Sequence, residues 1–192
     1  MLPPSTKLDR RTTRVATEQR LDPVTFEGAS ITYRNFSGLE GRFNAEGNRN
    51  FTLILGEEAA RAMEADGWNI RWQKPYEEGD PERPILEVSL KYRTRAGAEL
   101  RRPPRVVLIT GRGKTPLDED MVSLLDWAEI TNVDLIINPS YWEVQGRSGI
   151  KAYVQSLYVT IREDPLELKY QDVPDSASSS LVRRPTPESA DE

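Results

Sequence analysis

The chain has no cysteine and no histidine among its 192 residues. Without cysteine there is no disulfide framework and no thiolate metal site. Without histidine there is no Ser-His or Cys-His nucleophile pair, no imidazole general base and no His-ligated zinc or iron. Carboxylates, Lys, Ser/Thr and Tyr remain as candidate catalytic groups, and no cofactor is expected. No run of apolar residues approaches membrane-spanning length. The N-terminal stretch MLPPSTKLDRRTTR lacks the apolar segment of a secretory signal, so a cytoplasmic location and no membrane partner are expected.

The charge is unevenly placed. The formal net charge is −5, from 26 basic and 31 acidic residues. The stretch from Glu163 to Glu192 holds eight acidic and three basic residues, which leaves 23 of each sign in residues 1–162. The body is therefore neutral, and the acidic balance no longer argues against a polyanionic partner. Of the basic residues, 20 are Arg and 6 are Lys; Arg suits phosphate forks and base stacking.

Hydrophobic periodicity organises the middle of the chain. Residues 1–22 are polar, basic and Pro-bearing, and read as a disordered arm. Phe26–Phe36 is β-branched and aromatic with a Gly interruption, the pattern of a strand with a bend. Asn50–Leu55 alternates, with Phe51, Leu53 and Leu55 on one face. Glu57–Ala65 reads as a short helix, acidic at its start and stopped by Gly67. Trp68–Gln73 and Ile85–Arg93 alternate again, which is the signature of a half-buried antiparallel sheet. Arg105–Thr110 is a short strand, and Gly111–Thr115 is read as a loop. Leu117–Trp127 is read as a second short helix capped by Thr115 or Asp118. Val133–Val144 and Ile150–Ile161 form a hairpin across Gln145–Gly149. From Gln171 onward Pro, Ser, Asp and Glu dominate, which reads as a disordered acidic tail.

These elements predict a mainly β domain over residues 23–170: an OB-like antiparallel barrel with two short helices and disordered termini. A doubly wound parallel sheet is disfavoured, because strands do not alternate regularly with long helices.

Three constellations bear on chemistry. GRGKT at Gly111–Thr115 sits between a strand and a helix, but its spacing fails the phosphate-loop pattern, whose first Gly would fall on Leu108. Carboxylates gather at Asp118, Glu119, Asp120, Asp126, Glu129 and Asp134, and a two-metal nuclease needs converging acids. Acids at a helix start also simply favour the macrodipole. Finally, aromatic and basic residues interleave. Single-strand binders need that pairing, because aromatic faces stack on bases while Arg and Lys neutralise phosphates. The candidate nucleic-acid contacts are Arg42, Phe43, Arg49, Arg71, Trp72, Lys74, Tyr76, Arg112, Lys114, Trp142, Arg147, Lys151 and Tyr153. Trp68 and Trp72 alternate with Ile70 and equally fit a core face. On the last strand Lys151, Tyr153 and Gln155 share a period-two face with Leu157, Val159 and Ile161, polar at one end and apolar at the other. Glu188, Asp191 and Glu192 form an acidic tip suited to competing with DNA for a basic groove or docking on replication or recombination proteins.

Four blocks carry a resemblance: Arg42–Phe51 (RFNAEGNRNF), Asp66–Ile70 (DGWNI), Leu125–Ile130 (LDWAEI) and Gly149–Val154 (GIKAYV). Over about Phe26 to Tyr170 the chain resembles a tailed-phage family of single-stranded DNA-binding proteins. The resemblance implies an OB-like fold, no catalytic residues, and a role coating and protecting single strands in phage replication and recombination. A metal-dependent nuclease using the acids at 118–134, or a protein-interaction or virion component, are the alternatives. Homo-oligomerisation stays open.

Overall fold

The computed structural model describes residues 21–75 and 79–163. The expected arm and acidic tail, including Glu188, Asp191 and Glu192, and the candidate Tyr76 lie outside the described residues. The fold is mainly β. Among the described residues nine strands form one sheet: β1 (Val24–Phe26), β2 (Ser30–Asn35), β3 (Arg49–Ile54), β4 (Ile70–Gln73), β5 (Arg83–Leu90), β6 (Arg105–Thr110), β7 (Gly113–Leu117), β8 (Ile130–Val144) and β9 (Arg147–Ile161). Its main path runs β1-β8-β9-β5-β3-β2, with β4 beside β5 and the β6–β7 hairpin beside β9. The sheet is not wholly antiparallel as expected: β5 and β6 both pair parallel to β9. Long connections bring both strands to the same edge of β9, and such crossovers permit parallel pairing. Among the described residues no helix is long and apolar enough to cross a membrane.

The first strand breaks where the sequence interrupts it. β1 pairs with β8, Gly28 takes a φ of +61°, and β2 continues to pair with β3. Helix α1 (Glu57–Ala65) has the predicted bounds; its N–H-rich start carries Glu57 and Glu58, and its inner face buries Ala60 and Met63. The second expected helix is corrected. Gly113–Leu117 is a strand hydrogen-bonded to β6, and only Val122–Asp126 coils, as a 3-10 turn. The reason is packing: Val122 and Leu125 are both fully buried, and residues three apart eclipse each other in a 3-10 turn. Asp118 fixes the approach to this turn, its Oδ1 accepting from the N–H groups of Asp120 (3.0 Å) and Met121 (2.9 Å). Among the described residues there is thus one α-helix.

Alternation places the core. Phe51, Leu53, Leu86, Val88, Leu90, Leu135, Ile137, Leu157 and Val159 turn inward, and the ring of Phe36 stacks on Phe51 at 5.4 Å between centroids. Trp68 is buried with them. The last strand departs from simple alternation. Ile136 pairs with Ser156 but Ile137 pairs with Val154, so Gln155 is an extra, bulged residue. The bulge resets the parity. Ile150, Ala152 and Val154 face inward before it, and Leu157 and Val159 after it. Lys151 and Tyr153 therefore lie on the outer face, opposite to Leu157 rather than beside it.

The β8–β9 hairpin closes on Gln145 and Gly146, with φ of +51° and +76°. Both residues being left-handed marks a type I′ turn, whose twist suits two long strands. It is shorter than the five-residue loop expected. Near its tip Gly149 is buried, and a Cβ there meets the Asn69 side chain and lies 3.1 Å from Trp142 Nε1. Gly149→Ala should therefore displace Asn69 and the Trp142 indole, at a cost of about 1–3 kcal/mol. Urea denaturation should show a lower midpoint with an unchanged slope.

Candidate nucleic-acid interface

The predicted contacts do not form one cluster. β9 spans 15 residues, a length of about 45 Å at a strand's rise per residue. Arg147 stands at its start, while Arg112 and Lys114 belong to the β6–β7 hairpin that flanks its far end. Arg42 and Phe43 sit on the connection between β2 and β3. The sheet thus presents basic residues in three places.

The β2–β3 connection is the most organised of these. Asn44 lies at its centre: its Nδ2 donates to the carbonyls of Leu39 (2.9 Å), Ala45 (3.1 Å) and Asn48 (3.0 Å), and its Oδ1 accepts from Asn50 Nδ2 (2.8 Å). Asn35 clamps the entry, bonding both the N–H and the carbonyl of Leu39 at 2.9 Å. Gly38, with φ +72°, lets the two arms touch; a Cβ there comes within 3.2 Å of the Gly47 backbone. Asp126 ties the loop to the 3-10 turn, accepting from the N–H groups of Phe36 (2.6 Å) and Ser37 (2.8 Å). On this fixed scaffold Phe43 is 92% exposed, with the Arg42 guanidinium 5.1 Å from its ring centroid. A rigid, solvent-facing ring with an adjoining cation is a ready stacking surface.

Arg49 lies beneath the loop. Its guanidinium pairs with Glu119 at 3.1 Å and rests over the Tyr92 ring at 5.8 Å, while Glu119 also takes Arg93 at 2.9 Å. This group joins the starts of β3, the segment after β5 and the approach to the 3-10 turn. The Tyr92 hydroxyl is buried without a hydrogen-bond partner. Burial pushes its pKa up to about 12; Arg49 opposes the shift, and Glu119 and Asp118 add to it.

The remaining candidates line the outer face and the hairpin tip. Arg71 pairs with Glu87 at 3.0 Å across β4 and β5. Trp72 is half-buried, its Nε1 donating to Glu64 at 3.3 Å and Arg61 lying 4.9 Å from its ring. Lys74 is exposed just past β4. Tyr153 is half-buried on the outer face with Lys91 Nζ 5.1 Å from its ring, and Lys151 is exposed two residues before it. Trp142 is half-buried with its Nε1 lacking a partner. Arg112, Lys114 and Arg147 are exposed.

The acids of 118–134 do not converge. Glu119 holds two arginines, Asp126 two backbone N–H groups, Glu129 pairs with Arg162 at 2.6 Å, and Asp134 accepts from Gly28 N–H at 2.8 Å. No three acidic groups among the described residues are placed to hold a metal ion.

Three aromatic residues outside the predicted set stand out by exposure, Trp127, Tyr33 and Tyr141, the last at 62%. Trp127 is 89% exposed and Tyr33 62%. Tyr33 also has a φ of +46°, a left-handed conformation costing a bulky residue on the order of 1–2 kcal/mol. Its hydroxyl accepts from Gln73 Nε2 at 2.8 Å. Tyr33 stands beside Arg34 in the sequence, the same aromatic–basic interleaving as the predicted contacts, whereas Trp127 sits in a segment read as helix and gave no such signal.

Residues 13–192 match the phage ssDNA-binding domain family. The chain belongs to this family. Solved structures similar to it include the single-stranded DNA-binding protein from bacteriophage Enc34 in complex with ssDNA. The identity is 12%, the TM-score 0.47, and the match covers 74% of this chain and 88% of that one. The bacteriophage T7 single-stranded DNA-binding protein gp2.5 is also similar, at 12% identity and a TM-score of 0.34, covering 84% of this chain and 99% of that one. The comparison with curated proteins gives no match.

Within this member of the family, the raised Tyr92 pKa ties stability to alkaline pH. The neutral phenol is favoured in the fold, so its contribution is complete below pH 10 and is lost as pH rises toward 12. Tyr92→Phe should remove that loss, flattening the thermal-melting profile between pH 10 and 12. Because the hydroxyl has no partner, its removal should cost under about 1 kcal/mol at neutral pH.

Proposed function

We propose that this chain is a non-catalytic protein that coats and protects single-stranded DNA in phage replication and recombination. Family membership supports the ligand class. The observation that carries the reading here is Phe43: a ring 92% exposed, paired with Arg42, on a loop fixed by the Asn44 and Asp126 hydrogen bonds. A loop already ordered by its own hydrogen bonds loses little backbone entropy when its exposed ring stacks against a base.

We further read the sheet as a partly open, OB-like barrel. Its path starts with β1 and ends with β2, and these are two halves of one bent strand parted by Glu27–Ala29. The first half holds β8 and the second holds β3, which is how a barrel limits its edges. Lys151, Tyr153 and Lys91 on the outer face, with Lys74, Trp142 and Arg147 toward the hairpin tip and Arg112 and Lys114 beyond the other end of β9, extend the surface along which a strand is tracked. Arg71 contributes from beside Glu87. Arg49, engaged by Glu119, sets the base of the Phe43 loop. The nuclease alternative has less support, because the acids at 118–134, Asp120 apart, serve structural partners. The acidic tip of Glu188, Asp191 and Glu192 competes with DNA for these basic groups and docks replication or recombination proteins.

Titration of oligo-dT against intrinsic Trp fluorescence should give salt-sensitive quenching, with a log–log slope near −0.7 per phosphate contacted. Phe43→Ala should weaken binding by about 1–3 kcal/mol and leave the salt slope unchanged. Absence of quenching and of a gel shift would refute the reading. Deleting residues 171–192 should tighten oligo-dT binding and abolish partner capture; no change in either assigns that stretch a solubilising role only.

A further inference from the structure

The bent first strand leaves a gap in the sheet. The bond from Ala29 N–H to the Val133 carbonyl, 2.8 Å, holds the strand to β8. Beyond it β2 turns toward β3, and an open cleft separates β2 from the start of β8, running along residues 29–34 on one wall and 128–133 on the other. Two exposed aromatics outside the predicted contacts belong to the segments that form this cleft. Tyr33 is part of the β2 wall, and Trp127 directly precedes Ala128 on the facing wall.

The walls are joined by a cation. Arg34 Nη1 donates to the carbonyls of Leu125 (3.1 Å) and Ala128 (2.9 Å), so its guanidinium lies on the turn that carries Trp127. Among the described residues no carboxylate pairs with it. The one acid on the cleft walls, Glu129, is neutralised by Arg162 at 2.6 Å. Thr32, Thr131 and Asn132 supply hydroxyl and amide groups on the walls. The cleft is therefore cationic and polar, with large rings at its rim.

Neither ring is explained by packing. Leu125, two residues before Trp127, is fully buried, and Asp126 is locked onto Phe36 and Ser37, so the Trp127 indole projects from an anchored turn. Tyr33 keeps a left-handed backbone and is pinned by Gln73. Backbone strain in a non-glycine residue concentrates at binding sites, where the surroundings hold it in place.

We propose that this cleft is a second single-stranded DNA subsite, in which bases stack on Trp127 and Tyr33 while a phosphate faces Arg34. The proposal rests on the single-stranded DNA reading above and adds a path separate from the Phe43 loop.

Photocrosslinking of the full chain with oligo-dT carrying single 5-iodouracil substitutions, followed by peptide mapping, tests it. Crosslinks are expected at Trp127 and Tyr33. Trp127→Ala should weaken oligo-dT binding about tenfold. Trp127→Phe should retain affinity within about threefold, since a ring still stacks, yet lose most of the fluorescence quenching. Both positions are exposed, and an unchanged melting temperature checks that each variant is folded. If the parent binds oligo-dT but crosslinks map elsewhere and Trp127→Ala and Tyr33→Ala leave its affinity unchanged, the subsite is overturned and the DNA-binding reading stands. If Trp127→Ala alters sedimentation but not DNA affinity, the ring covers a second copy and the subsite is likewise overturned. If the parent binds no oligo-dT, the DNA-binding reading fails and takes the subsite with it.

Discussion

Strand β9 uses both of its hydrogen-bonding edges, and the rest of the domain is hung from them. Along one edge it pairs with β8 for almost its full length; along the other, β5 takes the N-terminal half and β6 the C-terminal half. A fifteen-residue strand cannot stay straight while serving three partners, because strands in a sheet twist relative to one another. The bulge at Gln155 absorbs this. It falls between the β5 and β6 contacts and flips the inward parity, so one strand feeds Ile150 and Ala152 to one part of the core and Leu157 and Val159 to another.

That arrangement sets where function can lie. The long β8–β9 ribbon carries Trp142, Arg147 and Lys151 away from the core, while the opposite end of β9 is flanked by the Arg112–Lys114 hairpin. Between them the 3-10 turn acts as a junction. Asp126 takes the β2–β3 loop, Arg34 reaches its carbonyls, and Glu119 just before it gathers Arg49 and Arg93. The exposed rings Phe43 and Trp127 both project from segments fixed by this junction. Polar bonds here anchor the backbone beneath two solvent-facing rings.

Charge follows the same division. The described body balances its acids and bases locally, through pairs such as Arg71–Glu87 and Arg162–Glu129. Exposed pairs of this kind add little stability. Their effect is to leave particular cations, among them Lys74 and Lys151, as the local excess.

The alternation of apolar residues by itself determined most strands, the helix at Glu57–Ala65 and the break at Gly28, because each depends on neighbours within a few residues; it left Trp68 open between core and surface. The separation of a neutral body from an acidic end was equally legible, since charge is a property of composition. Local pattern did not determine the 3-10 turn, the strand at Gly113–Leu117 or the bulge at Gln155. Val122 and Leu125 coil tightly because the core needs both at once, and Gly113–Leu117 extends because β6 offers it an edge. The site divides in the same way. Phe43 was legible beside Arg42 as an aromatic–basic pair, whereas Trp127 looks in sequence like any other helix aromatic; only the tertiary structure, which buries Leu125 and ties Asp126 to the β2–β3 loop, leaves the Trp127 ring in water.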